Sequence, residues 1–386
     1  MQSFFRTVIL GIVCVAAGAA MMRYYDSRNL NIPNQSPKEP NTPVVAAVDL
    51  QHEPLWAYGF EKPAAAGEVA QPQALPTRKL RANEDAEPQT RLRHLTGSKA
   101  SFSLVDIRDG QNVADWFPAD HPPLPEVIAH GPVAAAERKR GCGFCHLPNG
   151  QGRPENAPVA GLPVTYIVRQ LQDFRSGQRK SADPRKPNTN TMIDLAKSLS
   201  DEEMKAAADY FSALTFKPWV QVIETDLVPK TRIVGNLYIP TETLRSEPIG
   251  SRIVEVPENE EQSELLRNPH SGFVAYVPPG SLAKGKELVT RGGAKFAGSQ
   301  FIPGKATPCI TCHREDLMGA GDSPPIVGRS PSYIARQMWD IQQGTRRGEP
   351  AQLMKLAIAN LTPDDIIAIS AYVASLRPVG QRHLTQ

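Results

Sequence analysis

Gly141-Cys142-Gly143-Phe144-Cys145-His146 and Pro308-Cys309-Ile310-Thr311-Cys312-His313 are two copies of one pattern, Cys-x-x-Cys-His. Together they take four of the chain's five cysteines. The pattern is the attachment signature of c-type haem, in which two thiols form thioethers with the macrocycle and the adjacent histidine is placed to ligate iron. Two other chemistries use paired cysteines. A thioredoxin-like dithiol requires a βαβ setting, which the surrounding sequence lacks. A zinc site built from both pairs explains less, because the pairs lie in separate repeats and each has its own histidine. Haem uses every residue of both motifs.

The motifs anchor a longer repeat. A shift of 167 positions brings Cys142, Cys145 and His146 onto Cys309, Cys312 and His313. The same shift matches Pro158 with Pro325, Gly161 with Gly328, Tyr166 with Tyr333, Arg169 with Arg336, Gln170 with Gln337, Asp173 with Asp340 and Gly177 with Gly344. Further on, a shift of 162 matches Met192 with Met354, Leu199 with Leu361, Tyr210 with Tyr372 and Leu214 with Leu376. Each copy predicts the same helices. Ile167, Leu171 and Phe174 share one helical face that stops at Gly177, and Ile334, Met338 and Ile341 repeat it with a stop at Gly344. Ser200-Asp201-Glu202-Glu203 is a capping box that opens a last helix. Thr362-Pro363-Asp364-Asp365 opens its counterpart with a capping threonine and a proline at the first helical position.

The repeat also selects the second iron ligand. Methionine is the usual partner of histidine in electron-transfer haem sites. Met192 and Met354 are repeat-equivalent, and each lies seven residues before the leucine that leads into the capped last helix. Met204 and Met338 fall on apolar helical faces and read as core, and Met318 has no counterpart in copy one.

The net charge of +3 is nearly balanced, and no basic stripe interleaved with aromatics argues for nucleic acid. Thr7–Met22 is an uncharged apolar run, short for a spanning helix and suited to a signal peptide, with Ala17-Gly18-Ala19 as a small-x-small cleavage site. The flanking Met21-Met22-Arg23-Tyr24-Tyr25 also suits a retained membrane anchor. Either way the rest of the chain is exported. Cys14 lies inside this run and reads as a small hydrophobe. Residues 26–100 hold nine prolines and little periodicity, the composition of an extended tether. Trp56, Tyr58 and Phe60 interrupt it and are candidates for docking. Between the two copies, VQVIETDLV, TRIVGNLYI, SRIVEV and GFVAYV are short β-type runs, each ending at or near a proline. The expected organisation is therefore 1–25 signal peptide or anchor, 26–100 Pro-rich tether, 101–217 first haem domain, 218–277 β-containing connector, 278–378 second haem domain and 379–386 tail. An insertion, GGAKFAGSQFIPGKATP, precedes the cysteines of copy two.

The order Cys-x-x-Cys-His, Pro158, Gly161, a Tyr-initiated helix, Met192, LSDEE and a closing helix with Tyr210 resembles a class I cytochrome c domain. Copy two, with Pro325, Gly328, Met354 and LTPDD, resembles it equally. The pair is similar to the tandem di-haem cytochromes c of bacterial respiratory chains, and the resemblance covers roughly half the chain. It implies a mainly α fold of two such domains, joined here by the β connector. It also implies two covalently attached haems c held by Cys142, Cys145, Cys309 and Cys312, with His146, Met192, His313 and Met354 on iron. In that family a proline carbonyl accepts a hydrogen bond from the ligand histidine, a role that would fall to Pro158 and Pro325.

Two six-coordinate His/Met haems leave no open iron position, which favours an electron carrier over an enzyme. The expected partners are a redox donor and an acceptor, with a membrane dehydrogenase or terminal oxidase as a fixed partner, in the periplasm and either soluble or tethered. The alternative is a peroxidase-like di-haem enzyme with one open or displaceable ligand, and neither copy carries a mark that singles it out for that role.

Overall fold

A computed structural model describes residues 53–63, 90–241 and 246–378. The expected signal peptide or anchor, Cys14, most of the tether and the 379–386 tail lie outside the described residues. The helices that position the site are α1 (Leu55–Tyr58), α2 (Cys142–His146), α3 (Val164–Arg175), α4 (Pro187–Ser198) and α5 (Asp201–Ala213), then α6 (Ser281–Arg291), α7 (Ile310–His313), α8 (Pro331–Gln342), α9 (Glu349–Ile358) and α10 (Pro363–Ser375). Among the described residues no single helix is long and apolar enough to cross a membrane.

The two copies fold alike for local reasons. Ile167, Leu171 and Phe174 of α3 are buried, as are Ile334, Met338 and Ile341 of α8. Gly177 and Gly344 follow these helices at φ +73° and +71°, the left-handed conformation that glycine adopts at least cost. Ser200 and Glu203 form the expected capping box on α5. Thr362 and Asp365 form a second one on α10, where sequence had indicated only the threonine. Buried Asp365 also accepts from Lys284 (2.9 Å) and Lys305 (2.6 Å). Burial acts to raise its pKa, but the bonds from Lys305 and Lys284 outweigh that and bring it down to about 2. Met204 and Met338 are core residues, as their helical positions indicated. Copy two has a full leading helix, α6, which crosses α10 so closely that a Cβ on Gly285 would stand 2.0 Å from the Ala368 carbonyl oxygen. The matching segment of copy one, before Cys142, does not form one continuous helix. Val133–Arg138 is a short 3-10 segment broken at Ala136, whose φ of +48° no helix accommodates.

The copies meet through the loops that follow α3 and α8. Arg179 and Arg346 form an antiparallel bridge, and the Lys180 and Arg347 amides donate to Thr345 O (2.8 Å) and Gln178 O (2.7 Å). Arg179 donates to Gln170 Oε1 and Gln337 Oε1, and Arg346 donates to the same two oxygens. Equivalent residues thus contact each other, the pattern of an isologous, pseudo-twofold interface.

Arg329 breaks the symmetry, since its repeat equivalent is Leu162. Its buried guanidinium donates to Pro325 O (2.8 Å) in its own copy and to Pro158 O (2.6 Å) and Ala160 O (3.1 Å) in the other. It also lies 4.4 Å over the Phe216 ring. Burial lowers its pKa to about 10, which still leaves it charged at neutral pH. Arg329→Ala strands three buried carbonyl oxygens, so we expect a loss of about 3–5 kcal/mol, read as a fall in the urea midpoint of the holoprotein. A midpoint within about 1 kcal/mol of wild type would show that water replaces the guanidinium.

A second asymmetric element is α1. Tyr58 is fully buried and donates to Asp340 Oδ1 at 2.6 Å, Lys186 Nζ donates to Tyr58 O at 3.0 Å, and Arg336 donates to Ala57 O. Trp56 and Phe60 pack against the copy-two core. This part of the Pro-rich segment is thus a strap across both copies, and the aromatics singled out in the sequence are its anchors.

The connector forms a three-stranded sheet of β1 (Val220–Glu224), β4 (Val254–Pro257) and β5 (Phe273–Val277), with β5 central, parallel to β1 and antiparallel to β4. β2 (Thr231–Val234) and β3 (Leu237–Pro240) pair as a hairpin turning at Gly235-Asn236. Alternate residues of β5, namely Phe273, Ala275 and Val277, join Val220, Ile239 and Ile367 and Ala371 of α10 in one apolar cluster. The other end of the connector covers copy one. Trp116 packs with Leu266 and donates to its carbonyl at 2.8 Å, and Gln151 donates to Ser271 O at 2.8 Å.

Candidate haem sites

Each Cys-x-x-Cys-His motif forms a single helical turn, which brings both sulfurs and the imidazole to one side of the backbone. In copy one, Cys142, Cys145, His146 and Met192 line the same cleft. Its apolar wall includes Ile167, Leu171, Phe174, Leu195 and Phe211. Arg179, Tyr333, Arg336 and Gln337 from the seam line it too, so residues of copy two complete the copy-one site. Arg179 and Arg336 offer cationic donors to the carboxylates of a macrocycle. In copy two, Cys309 and Met354 pack on one apolar cluster with Leu288, Ile334, Met338 and Leu361. The chemistry of both donor sets fits haem c.

The histidines are held for a ligand's role. His146 Nδ1 lies 2.8 Å from Ala157 O, and His313 Nδ1 lies 2.9 Å from Pro324 O. A ring whose Nδ1 donates to a carbonyl carries its lone pair on Nε2. Burial lowers both imidazole pKa values and favours the neutral, ligating form. The acceptors correct one expectation: they are the carbonyls of Ala157 and Pro324, not those of Pro158 and Pro325. The physical reason lies in the X–Pro peptide. A proline holds its predecessor in extended backbone, so the carbonyl just before the proline is the one turned toward the ring. Pro158 and Pro325 act through that constraint, and their own carbonyls accept from Arg329 instead. The signal that locates the acceptor is the tertiary amide itself, one residue upstream of the aligned prolines.

The thiols argue against a dithiol enzyme. Burial pushes Cys142 up to about 12 and Cys309 up to about 11, whereas redox-active dithiols carry lowered thiol pKa values. Neither motif is closed as a disulfide.

Sequence reasoning missed the seam. Arg179 and Arg346 obey the 167-residue shift, so their equivalence was legible, but not their pairing. Arg329 has no repeat partner and gave no signal.

A tandem of two such sites defines a c-type cytochrome with two haems. No family model matches the chain. Among curated proteins it is similar to the thiosulfate dehydrogenase electron acceptor of Stutzerimonas stutzeri (strain A1501), with 26% identity over 248 residues, 64% of this chain and 82% of that protein. It is also similar to cytochrome c4 of Pseudomonas aeruginosa, with 23% identity over 256 residues, 64% of this chain and 92% of that protein. Among solved structures, Acidithiobacillus ferrooxidans cytochrome c4 matches 61% of this chain and 98% of its own, at 21% identity and a TM-score of 0.37. The motifs and the curated relatives together define a di-haem electron-transfer cytochrome with two covalently bound haems c.

Proposed function

We propose that this protein relays electrons between a redox donor and a redox acceptor outside the cytosol, through two His/Met haems in series. The observation that carries this reading is the repeated site: each copy pairs a carbonyl-held histidine with a methionine on the same apolar cluster as its first cysteine. His146 and Met192 would ligate one iron, and His313 and Met354 the other. Cys142, Cys145, Cys309 and Cys312 would carry the thioethers. Bound haem supplies one-electron chemistry, and the chain's residues orient it, exclude water and set its potential. Residues 101–217 and 278–378 would be the haem-bearing units and 218–277 the connector between them.

One relative is named as the electron acceptor of a thiosulfate dehydrogenase, which supports a dehydrogenase as donor. A periplasmic location follows from the N-terminal apolar run, which would be removed as a signal peptide or kept as an inner-membrane anchor. With a methionine offered in both copies, the peroxidase-like alternative has no observation in its favour. A redox titration followed by visible spectroscopy tests the proposal. We expect two covalently bound haems, both low-spin in both oxidation states. A single haem, bound zinc or a high-spin site would overturn it.

A further inference from the structure

The two haem sites differ in what covers their attachment loops. In copy one the connector closes over the motif. Arg267 donates to Phe144 O, and the guanidinium groups of Arg267 and Arg140 lie 4.3 and 4.7 Å from the Phe144 ring centroid. Asn149 donates to Pro269 O at 2.8 Å. In copy two the equivalents Thr311 and Cys312 are exposed, and so is the following Arg314.

Apolar surface concentrates around that open loop. The insertion before Cys309 is a two-stranded hairpin, β6 (Lys295–Ala297) and β7 (Gln300–Ile302). Phe296 and Phe301 pair across it with ring centroids 5.3 Å apart, yet they are 73% and 57% exposed. On the other side, α9 buries Ile358 and packs Met354 and Ala357 on the core, while Leu353 and Leu356 are 75% and 77% exposed. Being i and i+3, these leucines share one helix face. The base of the hairpin is tied to α9, since the Thr307 amide donates to Ala357 O at 3.1 Å. In copy one the positions of Leu353 and Leu356 are Thr191 and Asp194, and the hairpin has no counterpart. Two exposed apolar pairs on elements joined by that backbone bond exceed the scattered singles of an ordinary surface.

The rim is basic. From Lys284 to Lys305 there are five cationic side chains and one acidic one, Glu287. Lys284 and Lys305 pair with buried Asp365, and exposed Lys286, Arg291 and Lys295 flank the hairpin. An apolar centre beside a mainly cationic edge, with Lys286, Arg291 and Lys295 exposed, is complementary to a partner with an apolar contact and an acidic rim.

We propose that this face of copy two, formed by Phe296, Phe301, Leu353 and Leu356 within a basic rim, is the docking surface for an acidic electron-transfer protein. The proposal rests on the carrier reading above and adds which haem meets the partner. On docking, one electron passes between the partner's redox centre and the copy-two iron. One of the two is oxidised and the other reduced, and no bond is made or broken. Copy one, with its loop closed by the connector, then exchanges electrons with copy two across the seam.

Two probes of opposite charge test this on the full holoprotein: a mitochondrial-type cytochrome c in its native basic form, and the same protein succinylated to make it acidic. Titration calorimetry reads complex formation and stopped-flow absorbance reads transfer. The acidic probe should bind, its rate constant should fall as salt rises, and the basic probe should react at least about tenfold more slowly at low salt. Replacing Phe296, Phe301, Leu353 and Leu356 by Ser should weaken binding of the acidic probe at least about tenfold. Lys286→Glu/Arg291→Glu/Lys295→Glu should reverse the preference between probes. Equal binding by wild type and both variants would overturn the proposal. So would a wild-type dimer in sedimentation that the serine variant converts to monomer, because a second copy would then be the occupant. Reduction of the same samples by dithionite keeps the readings apart: two reducible haems with no preference between probes removes the docking surface alone, whereas fewer than two removes the carrier reading.

Discussion

Replacing Cys142 and Cys145 together by alanine is expected to halve the covalent haem content, leaving one haem on copy two, and the mirror variant Cys309→Ala/Cys312→Ala should leave one on copy one. The effect is all-or-none because a thioether requires its sulfur, and removing both sulfurs from one turn leaves nothing to bond. The two variants should not fare equally. Copy one's cleft is lined by Tyr333, Arg336 and Gln337 of copy two, and the seam is fixed by Arg329 bonds in both directions. Haem in copy one therefore braces residues of both copies. The copy-one variant should show the larger fall in thermal midpoint, while copy two retains α6 and α10 packed against each other and against the sheet. Haem staining after denaturing electrophoresis, with absorbance of the pyridine adduct, counts what remains. Two haems on either double variant would mean that attachment does not use these cysteines.

The second large effect concerns potential. Met192→Ala should remove a thioether ligand from the copy-one iron and lower that potential by on the order of 0.1–0.2 V, within the roughly 0.8 V that axial ligands span. Met354→Ala should do the same to copy two alone. The sign follows from ligand chemistry, since a thioether favours ferrous iron relative to ferric and its loss favours the oxidised state. Met204→Leu and Met338→Leu are the controls. Both side chains are buried in apolar clusters, so a volume-conserving swap should cost under about 1.5 kcal/mol and leave both potentials in place. A spectroelectrochemical titration separates the cases. If Met338→Leu moved the copy-two potential and Met354→Ala did not, the ligand would be the buried methionine.

The seam explains why two copies of one domain need not behave as two equal sites. The bridge between Arg179 and Arg346 is symmetric. The strap is not: Arg336 and Asp340 of copy two bond to α1, whereas their equivalents Arg169 and Asp173 do not, and Arg169 pairs with Asp322 at 2.8 Å. Tyr333 is half-buried beside Arg179 and Arg346. Burial acts to raise its pKa, but the two cations outweigh it and hold the hydroxyl below the usual tyrosine range. Potentials respond to local charge and burial. Near-identical ligand sets in these unequal surroundings should therefore titrate as two waves.

What the sequence determined alone is what physics makes local. Attachment chemistry is spelled within six residues. The helices follow from apolar spacing at three and four and their ends from Gly177, Gly344, Ser200 and Thr362, while equivalence between copies marks Met192 and Met354 as candidate ligands. The strands of the connector are visible as short β-type runs that end at or near proline. What only the tertiary structure decided depends on pairs far apart in the chain. The acceptor for each histidine lies one residue before the proline that marks it, because backbone direction, not residue identity, selects a carbonyl. Arg329 reaches Pro158 across 171 positions, and Tyr58 reaches Asp340 across 282. No local pattern encodes such contacts: a buried arginine and a surface arginine are the same letter, and only packing removes the water that separates their roles.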